Sequence, residues 1–102
     1  FRIDGKTHQD DLILLKERVR FWECREQKID RIHIEPILQA QPDFLIVGLG
    51  AGGLVSLTER AKEALRFNRI PFVEKKNPEA CTLYNNALKE GRNIAAILPV
   101  RG

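Results

Sequence analysis

Phe44-Leu45-Ile46-Val47 is a continuous apolar run bounded by Gly48, the pattern of a strand buried on both faces of a helix-covered sheet. Ile70 to Glu74 and Ile94 to Leu98, the latter closed by Pro99, read as two further strands. Between the first two, Ala61, Ala64 and Leu65, with Leu54 and Leu57 farther back, recur at three- and four-residue spacing and predict an amphipathic helix ending near Asn68. Between the last two, Ala80, Leu83, Tyr84, Ala87 and Leu88 form one apolar face. Asn77 suits the N-cap of that helix, Pro78 its first position, Glu79 the positive end of its dipole, and Gly91 its left-handed stop. The order β, α, β, α, β favours parallel strands joined by right-handed crossovers.

The first half has a different rhythm. Asp4-Gly5 separates two short extended runs, Phe1 to Ile3 and Lys6 to His8, which signals a two-residue hairpin. Leu12 to Leu15 and Val19 to Trp22 flank Lys16-Glu17-Arg18 and read as a second hairpin with a longer charged turn. Ile34, Ile37, Leu38 and Ala40 fall near helical spacing, with Glu35 and Pro36 in a first turn and Pro42 beyond the end. The expectation is one α/β domain over residues 1–102 in three layers: hairpins and helix, a mixed central sheet, and helix.

Composition limits what such a domain can do. At 102 residues there is room for about one domain and no separate substrate lobe. The formal net charge is +3, divided unevenly: residues 1–43 hold 8 basic and 9 acidic groups, residues 44–102 hold 9 and 5. That excess steers an acidic partner weakly. It lacks the clustering of Lys and Arg that nucleic acid requires, so no nucleic-acid role is expected. No apolar run approaches the ~18 residues of a membrane span, and no integral membrane segment is expected. Cys24 and Cys81 stand far apart without a secretory signature, which fits a reducing compartment. His8 and His33 have no partner at metal-site spacing, so no metal is expected. The chain reads as cytoplasmic; as it starts at Phe1, a trimmed targeting segment is also compatible with it.

Gly48-Leu49-Gly50-Ala51-Gly52-Gly53 fits G-x-G-x-x-G with Gly48, Gly50 and Gly53, directly after a predicted strand. Glu74 lies 21 residues past Gly53, at the end of the next strand, where a dinucleotide unit places the acid for a ribose hydroxyl. Against this, Thr58-Glu59 is itself a helix start, which would leave Gly53 in a loop. The chain also has room for only one mononucleotide half, and glycines after a buried strand often serve only to turn the chain. Nucleotide or phosphate binding by Gly48, Gly50, Gly53 and Glu74 stays as the second reading.

Pro78, Ala80, Cys81, Tyr84-Asn85 and Glu90-Gly91-Arg92, followed by Ala95, Ala96 and Leu98, keep an ungapped spacing that resembles the Mth-type domain family. Gly48-x-Gly50, the opening Ile3-x-Gly5 and the aromatic at Trp22 correspond too, and the likeness runs from Phe1 to Pro99. The family's branches include adipogenesis-associated proteins and a mitochondrial assembly factor of respiratory complex I, and the chain looks closest to the latter. The resemblance implies a three-layer β/α fold, no established reaction, no known dinucleotide binding and, if the source is eukaryotic and a targeting segment was trimmed, the mitochondrial matrix. Relatives generally have Thr where Asn77 stands and lack the further glycines Gly52 and Gly53.

Individual residues add little chemistry. Cys81, in the first turns of a helix, could have a lowered thiol pKa but lacks a nearby His, so packing is the simpler role. Asn85 can satisfy a loop, and Arg92 can bond the last helix carbonyls or face a partner. Asp10, Asp11, Glu17 and Glu23 read as solvated charge. The functional expectation is a module without catalysis or cofactor that binds another protein. Its surface would be built from Gly48, Gly50, Gly52, Gly53, Cys81, Asn85 and Arg92, and self-association is compatible with it.

Overall fold

In the computed structural model, which describes residues 2, 3, 5–7, 9–16 and 18–100 and of Lys6 only the backbone, the three apolar runs become adjacent strands. They are β6 (Phe44–Gly48), β8 (Phe72–Lys75) and β9 (Ile94–Leu98), and β6 lies between the other two, parallel to both. The second hairpin, β3 (Leu12–Leu15) and β4 (Arg18–Phe21), continues this sheet rather than flanking it. β3 pairs antiparallel with β9, so the order is β4-β3-β9-β6-β8 and the sheet is mixed. This explains why Leu12 to Leu15 is apolar at every position: β3 is an interior strand buried on both faces. Its turn is shorter than expected, because Leu15 already pairs with Arg18.

Alternate residues of each strand feed two cores. On one face Ile13, Leu45, Val47, Ala95 and Ile97 meet α1 (Arg31–Ala40) and α2 (Glu59–Phe67); on the other Leu12, Ile46, Ala96 and Leu98 meet α3 (Asn77–Lys89). Two small ribbons complete the layers. β1 (Arg2–Ile3) and β2 (Lys6–Thr7) form the expected first hairpin beside α3, and β5 (Lys28–Ile29) pairs in parallel with β7 (Ser56–Leu57) above the α1–α2 core. Phe1, Asp4, His8 and Glu17, to which the sequence reading assigned hairpin, turn, histidine and charge roles, lie outside the described residues.

Three helix boundaries differ from the periodicity. α1 begins at Arg31, ahead of Ile34, because Asp30 caps it: the Asp30 carboxylate accepts from Arg31 N, and His33 Nδ1 accepts from Asp30 N at 2.9 Å. Pro36 therefore sits in the second turn rather than the first. α2 begins at Glu59 with Thr58 as cap, so Leu54 and Leu57 precede the helix; Leu57 is buried in β7 and Leu54 is exposed. Asn77 does not cap α3; Lys76 holds that position without a side-chain bond, and Asn77 lies within the first turn. Glu90 and Gly91 end α3 as expected.

Asp30 also accepts from Thr58 Oγ1 at 2.8 Å, so one carboxylate joins the starts of α1 and α2. The Arg31 N–H, then the Thr58 hydroxyl, hold its pKa below the ordinary carboxylate value. A carboxylate whose pKa is lowered by folding adds stability above its unfolded pKa and loses it as pH falls through the folded one. We therefore expect Asp30→Ala to lower the urea midpoint at pH 7, and the gap from wild type to close as pH drops below about 4. A gap of constant size from pH 7 to pH 2.5 would contradict this role for Asp30.

Candidate functional site

β6 is followed by α2 on one face and β8 by α3 on the other, and the two crossovers place β8 and β9 on opposite sides of β6. The carboxyl ends of β6 and β9 thus border a topological switch point, where open α/β sheets take ligands. Here a side chain of the protein fills it. Asn77 is the only buried polar residue among those described. Its Oδ1 accepts from Gly50 N at 3.0 Å, its Nδ2 donates to Pro99 O, and its own N–H donates to Gly50 O at 3.1 Å. One amide side chain joins the exits of β6 and β9 to the first turn of α3.

The glycine run is shaped by this contact. A Cβ on Gly48 would stand 2.6 Å from Asn77 Oδ1 and 2.8 Å from Leu98 Cδ2, so the close approach excludes any side chain. Gly50 has φ +86° and Gly53 φ +77°, and the loop folds back on itself through Gly53 N to Gly50 O and Val55 N to Leu49 O. Gly53 also lies under the Lys76 stem. With α2 starting only at Glu59, no helix begins at Gly53, and the helix-borne anion site of a dinucleotide fingerprint is not formed there. The nearer helix is α3, whose first N–H is already bonded to Gly50 O. Glu74 turns to the other face and pairs with Lys62 at 3.8 Å.

The candidate surface residues do not form one patch. Gly48 and Gly50 are buried; Gly52 is exposed and Gly53 partly so. Arg92 precedes β9, at the end of the sheet opposite the glycine loop, and pairs with Glu90 at 3.8 Å. Five strand residues at ~3.3 Å each separate the two corners. Cys81 and Asn85 do join the loop. With Ala51, Pro78, Thr82 and Val100 they line a groove of about 440 Å³ directly outside Asn77. Arg2 lines it too, and Asn85 Nδ2 donates to Arg2 O at 3.1 Å. Burial pushes the Cys81 thiol above its ordinary pKa, so the helix start does not make it a thiolate. Cys24 is raised as well, by burial and then by the Asp11 charge.

Two structural residues escaped the sequence reading. Asn77 looked like a cap because Asn-Pro is a common helix opening, and only the Gly48 contact distinguishes the two roles. Asp11, read as solvated charge, accepts from Cys24 N and Val100 N, both at 2.7 Å, and so ties the exit of β9 to the segment after β4. Asp10 is exposed and Glu23 pairs with Arg25. His33, in addition to its cap role, stacks at a tilt on Trp22 with ring centroids 5.1 Å apart. Among the described residues, no group of three or more His, Cys, Asp or Glu side chains could hold a metal ion, and no helix is long and apolar enough to cross a membrane.

Removing the Asn77 amide strands the Gly50 N–H, and Asn77→Ala should cost about 1–3 kcal/mol. Gly48→Ala should cost a similar amount, ~1–3 kcal/mol, through overpacking. In the Asn77→Ala background the Gly48→Ala penalty should shrink, because the 2.6 Å contact is gone and what remains is the movable end of Leu98 and the Ile97 carbonyl oxygen at 3.3 Å. Unfolding free energies of the four proteins test this; additivity within ~0.5 kcal/mol would contradict the contact.

The same architecture recurs among solved structures. An outer membrane protein from Bartonella henselae superposes with a TM-score of 0.83 at 20% identity, covering 97% of this chain and 85% of that one. The conserved hypothetical protein PH1505 from Pyrococcus horikoshii gives 0.77 at 27% identity over 99% and 91%. Rpa2829 from Rhodopseudomonas palustris gives 0.73 at 29% over 96% and 74%. A search of the curated proteins finds no match. A family model of proteins of unknown function matches residues 1–99, and the chain therefore belongs to the DUF498/DUF598 family.

Proposed function

We propose that this chain is a non-catalytic protein-interaction module, and that it serves the assembly of a larger, respiratory-type complex, as the Mth-type resemblance suggests. The observation that carries the reading is the use made of the switch point. Where an α/β sheet of this order usually receives a small ligand, the Asn77 amide is spent on Gly50 and Pro99, which leaves an open-sided groove instead of a cleft. The groove is walled by one helix and two strand exits, so its shape depends on the folded core and suits a rigid docking surface. Its raised thiol, with no base recorded against it among the described residues, argues against nucleophilic chemistry.

Thr82 is exposed on the groove wall, and Arg is a good helix former, so Thr82→Arg blocks the groove without unfolding α3. Affinity capture from the native cell should recover a protein partner with wild type and with Arg92→Glu, which lies at the far end of the sheet, but not with Thr82→Arg. Equal recovery with Thr82→Arg would overturn the groove as the docking surface. The nucleotide reading makes the opposite demand: NAD, FAD or ATP at ~100 times its Kd would add about 2.7 kcal/mol to the folded state and raise Tm. We expect no such rise.

A further inference from the structure

β4 is an outer strand of the sheet, paired among the described residues only with β3, and all four of its residues are exposed. Its ladder tells which backbone groups are free. Trp22 N donates to Asp11 O, and antiparallel pairs alternate between bonded and non-bonded, so Arg20 and Arg18 face β3 with their N–H and C=O groups. Val19 and Phe21 turn theirs outward, away from the sheet. Their side chains share the face of their cross-strand partners Leu14 and Leu12, the α3 face, and Phe21 is 69% exposed. Arg18 and Arg20 project from the other face, and neither has an acidic partner among the described residues.

Such an edge can add a strand, and its side chains decide which one. A second copy of this chain fits badly. A two-fold axis that pairs β4 antiparallel with itself keeps the faces of the two sheets in register, so the arginines of one copy would lie against those of the other, and like charges opposite each other destabilise a sheet. The arginines alone would serve to keep copies apart, but an exposed Phe21 beside them gives no such protection. We infer that β4 receives an extended segment of a partner protein in which acidic residues alternate with apolar ones, the acids meeting Arg18 and Arg20 and the apolar side chains covering Val19 and Phe21. This deepens the reading of the chain as an interaction module and rests on it, but it names a second surface, away from the groove.

The test uses the full chain, labelled for amide NMR, and two blocked hexapeptides, one alternating Glu with Val and one alternating Lys with Val. The Glu-Val peptide should shift the Val19 and Phe21 amides, and its Kd should rise at least fivefold on going from ~0.05 M to ~0.5 M salt. The Lys-Val peptide should bind at least tenfold more weakly. In Arg18→Glu/Arg20→Glu the preference should reverse. Val19→Pro removes an outward N–H that β3 does not use, so it should abolish binding while the β3–β4 ladder persists; should it disturb that ladder, the charge-reversed variant alone decides. Equal binding of both peptides, absence of shifts along β4, or self-association through β4 would each overturn the proposal. If Arg18→Glu/Arg20→Glu retains the captured partner that Thr82→Arg loses, the interaction reading stands and the edge proposal falls; if neither variant affects capture, both fall.

Discussion

The structure turns on one buried amide. Two parallel strands ending side by side leave their exit loops with unpaired backbone groups at the point where the crossovers diverge, and those groups must be satisfied from somewhere. Asn has one acceptor and one donor pair on a short, rigid stem, and at position 77 it reaches both loops: Gly50 N–H on one side, Pro99 C=O on the other. An Ala there would leave both unmet. Gly48 leaves room for this contact and Gly50 meets it in a left-handed turn, beside the apolar packing of α3 on Ile46, Ala96 and Leu98.

This arrangement changes the meaning of a familiar motif. Gly48, Gly50 and Gly53 satisfy a dinucleotide template residue by residue, yet Gly48 yields space to Asn77, and Gly50 and Gly53 take left-handed turns that fold the loop back on the protein. The spacing of a motif reports where small residues are required. What requires them is a question of which atoms approach, and here the atoms belong to the protein itself.

Much of the fold was legible. Phe44 to Val47 and Ile94 to Leu98 are apolar at every position because they are sheet-interior strands, and Gly91 ends α3 where a left-handed residue is needed. Leu12 to Leu15 carried the same continuous signal, but hairpin spacing drew it to the periphery; its second neighbour, β9, begins some eighty residues later, and local pattern cannot reveal such a pairing. The start of α1 was missed because its cap uses His33 where a Glu or Gln is the usual signature. The site was less legible. Cys81 and Asn85 do border the groove, but Arg92 was grouped with them although five strand residues of β9 lie between the two ends, and Asp11 looked like surface charge because its two N–H donors come from Cys24 and Val100, distant in sequence.

The central claim is that the Asn77 side chain closes the switch point in the folded state, and hydrogen exchange at the Gly50 amide reads it most directly. That N–H is held by Asn77 Oδ1 and lies buried, so in wild type it should exchange only through openings nearly as costly as global unfolding. In Asn77→Ala it should exchange through local opening, at least tenfold faster, while Ile46 and Ala96 amides in the strands keep protection that follows the variant's global stability. A Gly50 amide that exchanges rapidly in the wild-type protein, or at the same rate with and without the Asn77 amide once global stability is accounted for, would contradict the account.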